Sequence, residues 1–284
     1  MTVDLSIIVP AHNEGQRLSE GFERLQPVIE QLGSDSVEVI IVDDGSTDDT
    51  GRRAAELTRE LPHSLVVRCD TNGGKGAALK FGIAVAQGHI AVTCDADMSI
   101  HPRQIPALID ALSRGDVAVG SRARSGKIHY DSRIRTTAGS VFNYLARHWT
   151  GINVRDTQCG FKGFHVGVAR LFAIFGHING FAFDAEWLYL AHRLELTTNT
   201  VDVEWDDVAG SSVRVGRDSW GMLMDIRDIP TSTYRTVAVR VAPGIDVATV
   251  AQACRDARVQ GAVIARGVDE DIIVLPRDGA PGGL

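Results

Sequence analysis

Five short apolar runs recur through the first 120 residues, and four of them lead through a polar or glycine-bearing turn into a segment with helical spacing. The runs are Leu5–Val9, Val37–Val42, Leu65–Arg68, Ile90–Cys94 and Val117–Gly120; the helical segments between them are Glu14–Leu32, Thr47–Glu60, Gly74–Gln87 and Arg103–Ser113. Strands that alternate with helices in this way predict βαβ units and a mostly parallel central sheet. Right-handed crossovers then bring the loops that follow the strands to one edge of that sheet. The expected fold class is therefore α/β and Rossmann-like, and a chain of 284 residues with 44% apolar content is long enough to bury such a sheet on both faces.

After Gly120 the rhythm changes. Ser132–His148 mixes basic and apolar residues, and Thr157–Phe164 has no clear period. Asp184–Leu196 predicts an amphipathic helix, Thr200–Trp205 a strand and Ser219–Arg235 another helix. From Thr236 a smaller α/β unit is expected, with strands at Thr236–Val241, Ala262–Ala265 and Asp271–Leu275 around a helix at Asp246–Arg258, then a tail rich in Gly and Pro. The expected division is a main domain over 1–235, with halves 1–120 and 121–235, and an extension over 236–284 that is a candidate for pairing two copies of the chain.

Charge and cysteine usage narrow the class. A net charge of −7 argues against a general nucleic-acid binder. Cys69, Cys94, Cys159 and Cys254 are scattered, with no Cys-x-x-Cys, and read as reduced apolar residues. No stretch approaches the roughly 18–20 apolar residues that span a bilayer, and the N-terminus lacks a signal-peptide pattern. A cytoplasmic protein is expected.

The loops carry the chemistry. The first strand runs into Pro10-Ala11-His12-Asn13-Glu14, where Asn13 and Glu14 also suit simple helix capping. The second ends in Asp43-Asp44-Gly45-Ser46-Thr47-Asp48; Ser46 or Thr47 suits a cap, but capping does not explain two acids on the strand end. The third loop, Asn72-Gly73-Gly74-Lys75-Gly76, opens a helix, where glycines admit a close ligand and a lysine suits phosphate oxygens. Its spacing is not that of a Walker A loop. The fourth is Asp95-Ala96-Asp97 behind a buried strand, with hard oxygen donors that suit Mg²⁺ or Mn²⁺ shared with a diphosphate. The two acids project to one side there if the backbone stays extended.

In this order and spacing, the four loops resemble family 2 glycosyltransferases of the GT-A fold, strongly so over roughly residues 5–125. The resemblance implies that the Pro10–Glu14 loop (Pro10, Ala11, Asn13, Glu14) and Asp44 hold the nucleobase and ribose of a nucleoside-diphosphate sugar. It also implies that Lys75 and Gly76 lie near the nucleotide and that Asp95, Ala96 and Asp97 handle ribose, diphosphate and metal. His12 departs from the family, where tyrosine is commoner. Downstream, Gly120-Ser121-Arg122, the run Asp156-Thr157-Gln158-Cys159-Gly160-Phe161-Lys162 and Phe183-Asp184-Ala185-Glu186 resemble polyprenyl-phosphate sugar synthases, and among these the dolichyl-phosphate glucosyltransferases. The expected activity is inverting transfer of a hexose to a polyprenyl or dolichyl phosphate, with glucose favoured over mannose and a UDP-sugar over a GDP-sugar.

The residues agree with that expectation. Arg122, Arg124, Arg133 and Arg135 crowd one short region of an acidic chain, and arginine forks match phosphate. Arg122, Arg133 and Arg135 are the acceptor-phosphate candidates. Asp97, Arg122, Asp156, Asp184 and Glu186 are the catalytic candidates, with Asp156 free to orient either Lys162 or the acceptor. Asp184 also suits an N-cap, whereas Glu186 follows it by two residues rather than the three of a capping box, which favours a role on sugar hydroxyls. The stretch Arg133–Trp149 suits either a peripheral helix on an anionic membrane or an ordinary packed helix. The alternatives are the same donor chemistry with a soluble acceptor, and, more remotely, a non-catalytic nucleotide-binding regulator. A nucleotidyltransferase is disfavoured, because Pro10–Glu14 lacks the Gly-rich basic loop of that class.

Overall fold

The computed structural model describes residues 3–122, 133–206 and 217–231, together with the backbone of 236–241, 263–266 and 271–276; side chains of 133–141 and 217–220 are outside the description. The first half runs β1 (Leu5–Ala11), α1 (Gly15–Leu32), β2 (Val37–Asp43), α2 (Thr50–Leu57), β3 (Ser64–Arg68), α3 (Lys75–Val85), β4 (Ile90–Thr93), α4 (Ile105–Leu112) and β5 (Val117–Ser121). The second adds α5 (Arg133–Thr150), β6 (Lys162–His165), α6 (Val166–Phe175), α7 (Phe183–Arg193), β7 (Thr198–Asp202) and α8 (Arg217–Asp228). Then come β8 (Thr236–Val241), β9 (Val263–Arg266) and β10 (Asp271–Pro276).

Strands 1–7 form one sheet in the order β3-β2-β1-β4-β6-β5-β7, and every neighbour pair is parallel except those made by β6. Strands β1 and β2 are buried along nearly their whole length, as continuous apolar runs covered on both faces should be. Alternation sorts their side chains: Ile8 joins α3, α6 and α7 in one cluster, while Ile7 and Val9 join α1 and α4 in the other. β1 has β2 on one side and β4 on the other. The order of the sheet therefore reverses between β1 and β4, and a crevice opens beyond their carboxyl ends.

Two elements were invisible in the sequence. β6 is Lys-Gly-Phe-His, without alternation or β-branched residues, and it forms because β4 and β5 offer it ladders on both sides. α6 is apolar on most faces, so its period is masked, and it is buried through Val168, Ala169, Leu171 and Phe172. β8, β10 and β9 form a separate antiparallel sheet. The helix expected at 246–258, the Gly/Pro tail and Arg124 lie outside the described residues. No helix among the described residues is long and apolar enough to cross a membrane.

Candidate active site

The crevice beyond β1 and β4 is a cleft of about 500 Å³. Pro10, Ala11, His12, Glu14, Asp44, Lys75, Asp95, Ala96, Asp97, Arg122 and Asp184 all line it, so loops far apart in the sequence converge there. Asn13, Gly76, Asp156 and Glu186 act beside the cleft rather than on its wall. Phe181, Trp205 and Met222 close the wall, and no local signal in the sequence marked them.

The Asp-x-Asp loop is a turn rather than an extended segment. The Met98 N–H donates to the Asp95 carbonyl at 3.0 Å, and Met98 adopts φ 45°, a left-handed conformation uncommon for a non-glycine residue. The turn, not an extended backbone, brings both carboxylates to the cleft. Asp95 accepts from Lys75 Nζ at 2.5 Å. Burial works against the Asp95 charge, but Lys75, Arg122 and Lys162 outweigh it and its pKa is lowered. Asp97 has the opposite balance: burial and the Asp95 charge raise its pKa, against a 3.0 Å hydrogen bond from the Ser99 N–H. No ion pair reaches Asp97 among the described residues. A cation would relieve that crowding, so the pair fits a divalent ion. No group of three His, Cys, Asp or Glu ligands exists among the described residues, so a ligand's own oxygens and water would complete the shell.

The loop before α3 is built differently from its sequence expectation. Its N–H groups do not form an open phosphate cradle. Those of Gly73 and Gly74 donate to the two Asp44 carboxylate oxygens at 2.8 Å each. Those of Gly76 and Ala77 donate to the Asn179 carbonyl at 2.7 and 3.3 Å. Those four donors are thus satisfied within the protein, and the loop lines the cleft with Asn72, Gly74 and the Lys75 side chain. Gly74 holds φ 96°, and a Cβ there would lie 2.5 Å from the Asn179 carbonyl oxygen. Burial disfavours the Lys75 ammonium, but Asp95, Asp184 and Asp97 raise its pKa overall, so it stays charged.

Loops one and two are tied together by Asn13. Its Oδ1 accepts from the Thr47 N–H at 2.9 Å, and its own N–H donates to Ser46 Oγ at 2.9 Å, with φ at 54°. Asn13 therefore shapes the pocket instead of facing it. Glu14 occupies the N-cap of α1 without capping it; it pairs with Arg17 at 2.6 Å. Burial, with Asp97, Asp95 and Asp48 nearby, raises its pKa to about 7 against the opposing pull of Arg17.

At the end of β5, Arg122 grips Asp156 with a bidentate fork, Nε to Oδ2 at 2.7 Å and Nη2 to Oδ1 at 2.9 Å. The partner of Asp156 is thus Arg122, which is neither of the alternatives for Asp156, and that guanidinium helps hold the buried carboxyl below its usual range despite the burial penalty. Asp184 is no N-cap, since α7 starts after Ala182 and Asp184 lies in its first turn. It pairs instead with Lys162, which also donates to the Cys159 carbonyl; both side chains are almost completely buried. Burial raises the Asp184 pKa against the pull of Lys162 and Lys75.

Glu186 departs from its expected role on sugar hydroxyls. It is fully buried, and its oxygens accept the N–H groups of His177 and Ile178 at 2.7 and 3.0 Å. Cys159, Phe161 and Trp187 pack in the core. Arg133 and Arg135 fall within α5, but their side chains lie outside the described residues. Further along that helix Phe142 and Trp149 pack on the core, so its described half is largely a packed helix, with Tyr144 exposed.

The sequence model of Glycosyl transferase family 2 matches residues 6–172. A dolichyl-phosphate beta-glucosyltransferase of Drosophila melanogaster is 34% identical over 243 residues, spanning 80% of this chain and 74% of its own. The enzyme of that name from Homo sapiens is 31% identical over 228 residues, spanning 75% and 70%. Among solved structures, glucosyl-3-phosphoglycerate synthase of Mycobacterium tuberculosis superposes with a TM-score of 0.61 at 21% identity, covering 84% of this chain and 85% of that one. At that identity the likeness concerns the fold, which is the GT-A arrangement of a mostly parallel seven-stranded sheet. The motifs, the cleft they build and the match over residues 6–172 place this chain in glycosyl transferase family 2.

Proposed function

We propose that this enzyme transfers glucose, with inversion, from UDP-glucose to a polyprenyl or dolichyl phosphate. The observation that carries the reading is one cleft with two chemically opposite walls. Asp95 and Asp97 on the β4 turn suit a cation-bound diphosphate, and Arg122, forked onto Asp156, suits a phosphate monoester. The relatives' names supply the identity of sugar and acceptor.

In this mechanism an acceptor phosphate oxygen attacks the anomeric carbon as the bond from that carbon to the diphosphate oxygen breaks. The electron pair leaves with the nucleoside diphosphate. A phosphate monoester is already ionised near neutral pH, so no side chain need remove a proton. Mg²⁺ or Mn²⁺, held by Asp97 and Asp95, would neutralise charge on the departing diphosphate. Lys75 stays ammonium and adds a fixed positive charge beside the same group. Arg122, locked by Asp156, holds the acceptor phosphate without reorganising at the moment of transfer. Arg133 and Arg135 are proposed to extend that phosphate contact, and the amino-terminal half of α5 to rest on an anionic membrane surface.

The test is incubation of the purified chain with labelled UDP-glucose, polyprenyl phosphate and Mn²⁺, in parallel with GDP-mannose and with a soluble phosphorylated acceptor. A labelled glycolipid formed from UDP-glucose is the expected product. Transfer only to the soluble acceptor would overturn the lipid assignment, and transfer only from GDP-mannose would overturn the donor.

A further inference from the structure

The segment between α6 and α7 has no regular structure, yet its peptide planes are fixed from two sides. Lys80 Nζ, reaching out of α3, donates to the Gly176 carbonyl at 2.8 Å, the Ile178 carbonyl at 3.1 Å and Asn179 Oδ1 at 3.0 Å. Glu186, on α7, takes the His177 and Ile178 N–H groups at 2.7 and 3.0 Å. The Gly176 carbonyl and the His177 N–H belong to one planar peptide unit and point in opposite directions. A cation on one side and a carboxylate on the other therefore fix that plane. The next carbonyl along, that of Asn179, receives the Gly76 and Ala77 N–H groups and so sets the first turn of α3, from which Lys75 reaches Asp95.

We propose that Lys80 and Glu186 are positioning residues for the donor, acting through the 176–179 segment to set the direction of Lys75. The inference rests on the donor reading above, in which Lys75 faces the diphosphate. Neither residue touches the cleft: Glu186 is fully buried and Lys80 is spent on the segment. The arrangement also bears on Gly76, and on Gly176 together with the Phe172 carbonyl, which would lie 2.7 Å from a Cβ there. A Cβ at Gly76 would come within 2.8 Å of the Ile178 carbonyl oxygen, and one at Gly176 within 2.9 Å of Glu186 Oε2.

The experiment uses Lys80→Met, which keeps most of the side-chain length and removes the ammonium, with Glu186→Gln as a second variant. Two readouts are taken on the full chain: amide hydrogen exchange over residues 75–78 without ligand, and affinity for UDP with Mn²⁺. The expected result is faster exchange and a Kd raised about tenfold, as loss of hydrogen bonds to a charged group implies. In a Lys75→Met background the added loss from Lys80→Met should shrink to less than about twofold, because both changes act on one contact. A structural role alone predicts the same factor in both backgrounds, and that result overturns the inference. So does unchanged exchange, or UDP binding that Lys80→Met leaves intact. A wild-type chain that binds neither UDP nor GDP overturns the donor reading, and this inference with it.

Discussion

Two lysine–aspartate pairs meet at the cleft, where Lys75, Asp95 and Asp184 all reach its wall, and they are chemically alike but placed in different surroundings. Lys162 and Asp184 are 1% and 5% exposed, pinned between β6 and α7. Lys75 and Asp95 are 19% and 38% exposed and line the cleft itself. Burial decides what each can do. The inner pair has no water to fall back on, so each charge depends on its partner. The outer pair borders solvent and a ligand space, so its members can exchange one partner for another at modest cost. The carboxyl groups also differ in their cations: burial raises the pKa of both, but Lys75, Arg122 and Lys162 outweigh it at Asp95, whereas at Asp184 it outweighs Lys162 and Lys75.

Breaking the inner pair from one side should have the largest effect. Lys162→Met strands a buried carboxylate and is expected to cost about 3–5 kcal/mol of stability, read by denaturant unfolding. Replacing both members, as in Lys162→Met with Asp184→Leu, should recover much of that loss. A single variant as stable as wild type would erase the distinction between the pairs. At the cleft, Asp97→Ala should leave the fold intact and lower kcat/KM by about 10²–10³, the scale for removing one preorganised electrostatic contact. Excess chelator should do the same to the wild type, and undiminished transfer in either case would remove the cation from the account. Lys75→Met is the matched partner to Lys162→Met. It should raise the donor KM tens-fold while changing stability by less than about 1 kcal/mol. A melting temperature that falls as far as in Lys162→Met would show the outer pair to be structural too.

A further prediction concerns Glu14 and is read from a pH profile. Its folded pKa of about 7 lies above its ordinary 4.5, so the folded state holds this proton more tightly than the unfolded chain does. The stability this contributes is complete below about pH 4.5 and is lost as the pH rises through 7. Glu14→Gln should therefore flatten the decline of stability between those values, and identical pH profiles in the two proteins would rule this out.

The first 120 residues were legible because their signals are local. Apolar runs predicted β1 to β5 within a few residues, and the loop chemistry of Asp44, Lys75, Asp95 and Asp97 is written in contiguous motifs. What the sequence hid is set by contacts between distant segments. The two-residue spacing from Asp184 suggested a role for Glu186 on sugar hydroxyls, but Asp184 is not the cap and Glu186 takes two N–H groups before the helix, a pairing that follows no helical rule. Glycines before α3 suggested an open phosphate site, whereas Asp44 and Asn179 already occupy those donors. Lys162 stands between Phe161 and Gly163 and gives no hint that it lies within the sheet.

The reversed strand has a consequence for how such enzymes can change. β5 ends at the functional edge with Ser121, and β6, running the other way, begins at that same edge with Lys162. The forty residues between them leave and return at one place, and the Arg122–Asp156 fork lies at the two ends of that excursion. A change in the length of this excursion need not shift the register of β5 or β6, provided that Ala146, Ile152, Val154 and Phe161 keep their places in the core. The strand that runs against its neighbours thus ties the later segment back to the edge where the first four loops converge.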